Sequence, residues 1–382
     1  SRVQNNRNVR VAISSNAQYV RIKGAGAGQS VIVGAAATVP YSGTDTFVPV
    51  GCGEDSVGGV FSLSSSIVQG FTFRDCYGTQ ANGGAAVSAN TGSPVVSDCT
   101  ITNCFARDGA GGTGSIRFER CRFYDGIGGN GYFRGVSGYA SCLAVGCNGK
   151  QGIFYNDGAK LGLYNCTCVY TNTSSELINA GFPVVNTIGV GGSTAPAATS
   201  VGSIYWKYRS SYGGAPAMDP QFAGEDSYRL RADSQALAAG ATPTASGNWW
   251  YYATSDLEGY PLLFVDGKVV PGCYHRTASV VTVAVPKYGT AEPSGTSYLE
   301  PGESLTVTYE NGTPARPFVG FSVNGGDVVS PDTSLTIRYP SDSDGSVYGV
   351  VPVCGTNWYV NANREGASGD GFTPETAKKT LR

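Results

Sequence analysis

Apolar and polar residues alternate with a period of two in five short stretches that share one six-residue template. They are Phe71-Thr-Phe-Arg-Asp-Cys76, Cys99-Thr-Ile-Thr-Asn-Cys104, Cys121-Arg-Phe-Tyr-Asp-Gly126, Cys142-Leu-Ala-Val-Gly-Cys147 and Cys166-Thr-Cys-Val-Tyr-Thr171. The first and third positions are apolar or thiol throughout and are predicted to face inward. The residues between and beside them, such as Thr72, Arg74, Thr100, Arg122 and Tyr124, are mostly polar, as in a strand with one wet face. The three-and-four spacing of a helix is absent. The fifth position reads Asp75, Asn103, Asp125 and Gly146, residue types that tolerate tight turns.

The templates begin at 71, 99, 121, 142 and 166, so they lie 28, 22, 21 and 24 residues apart. A period in the low twenties with Gly and Asn punctuation marks a solenoid in which each coil lays one rung on the last. Coils of this length hold several short strands and no helix, which predicts a parallel β-helix over residues 1–215. Val20-Arg-Ile-Lys-Gly and Ser30-Val-Ile-Val-Gly read as its early strands, and Val60-Phe-Ser-Leu63 leads into the first full template.

Composition narrows the function classes. With 55 glycines in 382 residues, 14% charged and 41% hydrophobic, the chain is globular and β-rich, and two or three domains are expected. A net charge of −2 gives no general attraction for nucleic acid or anionic membranes. No apolar run approaches membrane-spanning length. A first residue of Ser1 and a single methionine, Met218, leave any leader peptide unread. Of the 11 cysteines most occupy inward template positions, and His275 is the only histidine, so a metal framework is not supported. The preferred reading is a ladder of buried thiols acting as small hydrophobes. The alternative is a disulfide framework, in which Cys273 and Cys354 would pair.

From Asp219 the pattern changes to Asp219-Pro-Gln-Phe222, Tyr228-Arg-Leu230, Ser234-Gln-Ala-Leu237, Asp256-Leu-Glu-Gly259 and Gly272-Cys-Tyr274. This order, over residues 216–276, resembles the closing segment of bacterial secreted right-handed parallel β-helix proteins of the pectate-lyase-like superfold, found in large modular surface proteins. Gln235, Cys273 and His275 depart from that family's usual residues. Residues 277–355 carry four alternating stretches, beginning at Val280, Ser304, Phe318 and Ser334, and predict a small immunoglobulin-like β-sandwich. It resembles the modules that space out domains in bacterial surface proteins.

The tail, 356–382, runs Trp358-Tyr-Val-Asn-Ala-Asn-Arg-Glu-Gly and on through Thr373-Pro-Glu-Thr-Ala-Lys-Lys-Thr-Leu381. It resembles the motif that opens β-helix domains of this class, yet here it comes last, and the first coil, beginning near Val11, has no such opening. An uncovered coil exposes unpaired backbone and the end of an apolar core. The resemblance therefore implies head-to-tail assembly, with Trp358, Tyr359, Val360, Phe372 and Leu381 of one copy capping Val11, Val20 and Ile22 of the next by strand addition. A non-closing contact of this kind generates a filament or, in covalent form, a tandem stalk. The plain counter-reading is that the tail merely starts a second β-helix. The resemblance also implies a secreted or cell-surface location.

Chemistry on the coil faces offers a second reading. Arg74, Arg120, Arg122 and Tyr124 are candidate glycan contacts, since a polysaccharide lyase needs cations to hold a carboxylate and a ring can stack on a sugar. The alternative function is thus a polysaccharide lyase or hydrolase, or a glycan-binding module. Nearby Asp75, Asp98, Glu119 and Asp125 make an ordinary solvated face the simpler account. Asp75 and Asp125 would lie roughly 10 Å apart with Asn103 between them, which reads as a ladder of turns rather than an acid and base. No Ser/His/Asp set is credible with one histidine, and Gly24-Ala-Gly-Ala-Gly opens no dinucleotide-binding unit. No catalytic residues are assigned and no cofactor is expected. Calcium is the one ion considered, at Asp342-Ser-Asp-Gly345 and around Asp370, although neither completes a ligand set. Trp249-Trp-Tyr-Tyr252 reads as cap packing, with a carbohydrate platform or a protein contact as the alternatives.

Overall fold

The computed structural model describes residues 11–12, 20–33, 61–63, 66–78, 86–89, 92–106, 109–128, 131–134, 136, 138–149, 153–155, 162–170, 183–192, 200–206, 217–243, 254–310, 316–330 and 332–355. Apart from one 3-10 turn, Gln235–Ala238, every regular element described is β. The chain divides into two compact units: residues 1–221 with 235–275, and residues 222–234 with those from 276 onward. The 216–276 stretch is therefore shared between them.

The first unit is a solenoid-like stack of three parallel sheets whose strand order follows the chain. The third sheet runs Val31–Val33, Thr72–Arg74, Thr100–Thr102, Arg122–Gly128, Leu143–Gly149, Thr167–Val169, Ile188–Val190 and Ile204–Trp206. The second runs from Arg21–Lys23 through Ile67–Gln69 to Ser200–Val201, and the first from Val11–Ala12 to Phe154–Tyr155. All five sequence templates enter the third sheet. Ile32, Phe73, Ile101, Phe123, Ala144, Cys168, Gly189 and Tyr205 are successive register partners in one inward column. From Phe73 onward the non-glycine members are buried.

The stack turns at single residues held in the left-handed region. Ahead of the third-sheet strands these are Asp98, Arg120, Ser141, Asn165 and Asn186, at φ between 49° and 53°. A second series is Asp75 and Asn103, just after their strands, and Asp125 and Gly146, at the same template position within the longer strands Arg122–Gly128 and Leu143–Gly149. Asn, Asp and Gly enter this region at least cost.

At these corners a main-chain N–H is directed into the core, where an unmet donor is costly. The next rung's thiol meets it: the Phe71 N–H donates to Cys99 Sγ at 3.4 Å and the Cys121 N–H to Cys142 Sγ at 3.5 Å. Each sulfur in turn donates to the carbonyl two residues before it, as Cys99 does to Ser97 and Cys166 to Tyr164. Thr187 and Ser203 continue the same column with hydroxyls, accepting from Cys166 and Thr187 and donating to Val185 and Val201. They mark two further rungs that the Cys-based template does not reveal.

The ten described cysteines are free thiols. This corrects the proposed Cys273–Cys354 pair. Cys273 is buried in the first unit with its N–H bonded to Thr167, and Cys354 lies against the Tyr309 hydroxyl in the second. Burial drives the thiols of Cys121, Cys142 and Cys168 far above the ordinary range, which suppresses the reactive thiolate. Among the described thiols, Ellman's reagent is therefore expected to label half-buried Cys354 first, and Cys99, Cys121, Cys142 and Cys166 only at the rate of unfolding. Rapid labelling of that column in a chain still folded by circular dichroism would contradict this packing.

The second unit holds two sheets around one apolar core that includes Val281, Val307, Phe321 and Val350. The five-stranded sheet is ordered Gly295–Leu299, Ser279–Val283, Val347–Cys354, Phe318–Val323, Val328–Ser330, and its second and third strands are parallel. The three-stranded sheet is Thr290–Glu292, Ser304–Glu310, Ser334–Arg338, antiparallel throughout. Residues 222–234, closed on themselves by a Phe222–Leu230 bridge, join this unit through an Arg231–Ala278 bridge and an ion pair between Arg229 and Glu300.

Candidate functional site

Two features of the first unit bear on function: a polar seam along one corner of the stack, and the open edge of its first rung. The seam is built by the left-handed corner residues, whose side chains project at one-rung intervals. Asp98 takes a two-pronged contact from Arg120, Nε to Oδ1 at 2.7 Å and Nη2 to Oδ2 at 3.0 Å, and a further bond from Gln69 at 2.7 Å. Burial alone would raise the Asp98 carboxyl, but the bonds from Arg120 and Gln69 hold it below its usual value. Gln69 in turn accepts from Arg21.

At later rungs the corner side chains hold residues 241–243 and 254–275. Arg120 Nη1 reaches Ser255 Oγ at 3.5 Å, Ser141 donates to the Ser255 carbonyl, and Asn186 Oδ1 accepts the Ala241 N–H at 2.8 Å. The Gly272 N–H donates to the Asn186 carbonyl and the Cys273 N–H to Thr167 Oγ1. Gly272 lies over Thr167 and Ile188, and these two residues, like Leu143 and Ile204 at the equivalent outward strand positions, are buried.

His275 and Asp256 lock the segment. Asp256 is fully buried and its carboxylate accepts the N–H groups of Glu258, Tyr260 and His275 at 2.8–3.1 Å. Desolvation nevertheless leaves its carboxyl above the ordinary aspartate value. His275 Nδ1 accepts the Leu263 N–H at 2.9 Å, so the neutral ring carries its proton on Nε2. Nε2 lies 3.3 Å from the Asn165 side-chain amide, whose oxygen must then be the atom that faces it. Burial lowers the imidazole to about 4.

The residues singled out as glycan contacts fall at three different places. Arg120 belongs to the seam. Arg122 and Tyr124 lie on the outward face of Arg122–Gly128, where Arg122 bonds Tyr274. Arg74 is exposed and pairs with the adjacent Asp75 at 3.1 Å. Asp75 also accepts from Asn103, and both are left-handed turn residues. Among the described residues no cluster of three or more His, Cys, Asp or Glu is arranged to hold a metal, the Asp342–Gly345 turn included. No helix among them is long and apolar enough to cross a membrane.

Of the assembly residues, Val11 lies in Val11–Ala12, paired with Phe61. The Val20 carbonyl accepts the Ile67 N–H, and Ile22 packs half-buried against the core. Trp358, Tyr359, Val360, Phe372 and Leu381 lie outside the described residues, as do Trp249–Tyr252 and the loop around Asp370. In all three sheets the first-rung strand is terminal and pairs on one side only among the described residues. Val31 and Val33 are 44% and 54% exposed there. At the far end of the third sheet, by contrast, Ala217 bridges Tyr205 in parallel and the Met218 N–H bonds the Tyr205 carbonyl.

Sequence reasoning found the turn after each strand but not the seam before it. The signal was present in Asp98, Arg120, Ser141, Asn165 and Asn186, polar residues directly preceding each repeat.

No protein-family model, curated protein or solved structure matches the chain.

Proposed function

We propose that this chain is an extracellular structural protein, a right-handed parallel β-helix followed by an immunoglobulin-like sandwich, in which residues 356–382 of one copy cap the first rung of the next. Copies then join head to tail into a filament or a tandem stalk at a bacterial surface. The observation that carries this reading is the asymmetry of the stack: the first rung has free edges among the described residues, while the last rung of the third sheet is continued by the chain itself. An open edge is a template for strand addition, and an interface between two unlike ends does not close on itself. The right hand follows from the strong preference of parallel crossovers for that sense.

The three arginines singled out as glycan contacts are each engaged, Arg74 by Asp75, Arg120 by Asp98 and Arg122 by Tyr274, which favours structure over catalysis at these positions. Electron microscopy of the purified full chain is expected to show polymers, and of a chain lacking 356–382 only monomers. A full chain that stays monomeric and binds or cleaves an acidic polysaccharide would replace this reading with the enzymatic one.

A further inference from the structure

The three first-rung edges, each open among the described residues, differ in what they offer an incoming strand. Arg21–Lys23 in the second sheet places Arg21 and Lys23, both exposed, on either side of inward Ile22. Charged residues, lysine above all, are how natural sheets discourage pairing at an edge. Val11–Ala12 in the first sheet is two residues long, too short for more than a minimal ladder. Val31–Val33 in the third sheet has neither protection: it is three β-branched residues without a charge, with Ile32 inward on the core and Val31 and Val33 exposed. Its other edge is already in continuous parallel register with Thr72–Arg74, so a further strand would extend an existing ladder.

We infer that the Val31–Val33 edge is the acceptor for the neighbouring copy, and that Trp358-Tyr359-Val360 is the strand that pairs with it. This rests on the head-to-tail reading above and names its contact. The donor follows from chemistry and reach. Trp, Tyr and Val are strong strand formers, and these three sit four to six residues beyond the last residue of Val347–Cys354. Their aromatic and branched side chains match the uncharged flank that Val31 and Val33 present. The charged second-sheet edge then fixes register by refusing the same strand, so one sheet receives the donor and the others follow.

The test uses the full chain, with self-association followed by analytical ultracentrifugation and folding checked by the thermal midpoint. The paired substitution Val31→Lys with Val33→Lys copies the second sheet's protection onto the third at two exposed positions. It is expected to weaken association at least tenfold without moving the midpoint, whereas Lys23→Val does not weaken it. A photo-crosslinking residue at Val33 is expected to join a peptide containing Trp358 from an isotopically distinct copy. If the lysine pair associates like the parent, or if the crosslink maps elsewhere, the edge assignment is overturned, and tail-mediated assembly stands only where Trp358→Ala still abolishes association. If the parent never associates, both fall.

Discussion

Phe123→Ala is expected to destabilise the first unit by about 4 kcal/mol, the middle of the range for emptying a buried phenylalanine site. Phe123 is fully buried, and its ring meets Phe133 at 4.6 Å and Phe118 at 5.2 Å, both edge to face, with Tyr132 and Tyr139 just beyond. These partners come from the first and second sheets and from adjacent rungs, so the cavity would have no single neighbour free to fill it. Because each rung contacts only the next, a defect at this level weakens the coupling between the two halves of the stack. Urea unfolding should therefore show both a lower midpoint and a broader transition, while Ile101→Val costs only about 1 kcal/mol. A loss for Phe123→Ala below about 1 kcal/mol would show that the aromatic cluster is not a shared core.

The second large effect is in pH. His275 titrates near 6.5 when unfolded and at about 4 when folded, because burial disfavours the imidazolium. Between these values the unfolded chain binds the proton and the folded one does not, so stability falls as pH drops from 6.5 toward 4. The difference corresponds to about 3 kcal/mol lost across that window. Asp256 acts in the opposite sense: its carboxyl is raised on folding by desolvation, so taking up a proton relieves part of the loss at the acid end. Asp98, held low, adds to the loss only as pH falls below its unfolded value of 3.8. Thermal midpoints of the parent and His275→Gln from pH 7 to pH 4.5 test the assignment. The parent should decline and the variant should be much flatter; parallel curves would remove His275 as the source.

Much of the third sheet was legible because its inward positions are large or sulfur-bearing and recur at a regular interval. The rungs at Thr187 and Ser203 were hidden by a change of element from sulfur to oxygen that leaves the hydrogen bonding intact. The first sheet was opaque for another reason. Gly109–Thr113 is a wholly buried strand of small residues, since a Cβ at Gly111 would lie 2.5 Å from the Phe133 ring and one at Gly112 would lie 2.9 Å from that of Phe118. Its composition follows the aromatic rings beneath it rather than strand propensity. Gly126 breaks the Cys76, Cys104, Cys147 series similarly, because the Tyr132 ring fills its place. The residues of the seam were visible ahead of each repeat, but its contacts were out of reach because the partners are far apart in the chain, Arg120 and Ser255 by 135 residues.

The column that passes from Cys99 to Ser203 has a consequence for where such a chain can mature. Its sulfur atoms serve as acceptors and donors, a task that oxygen performs at the next two rungs of the same molecule. A column closed in this way needs no oxidant to complete it, so its own packing can form in reducing surroundings as in oxidising ones.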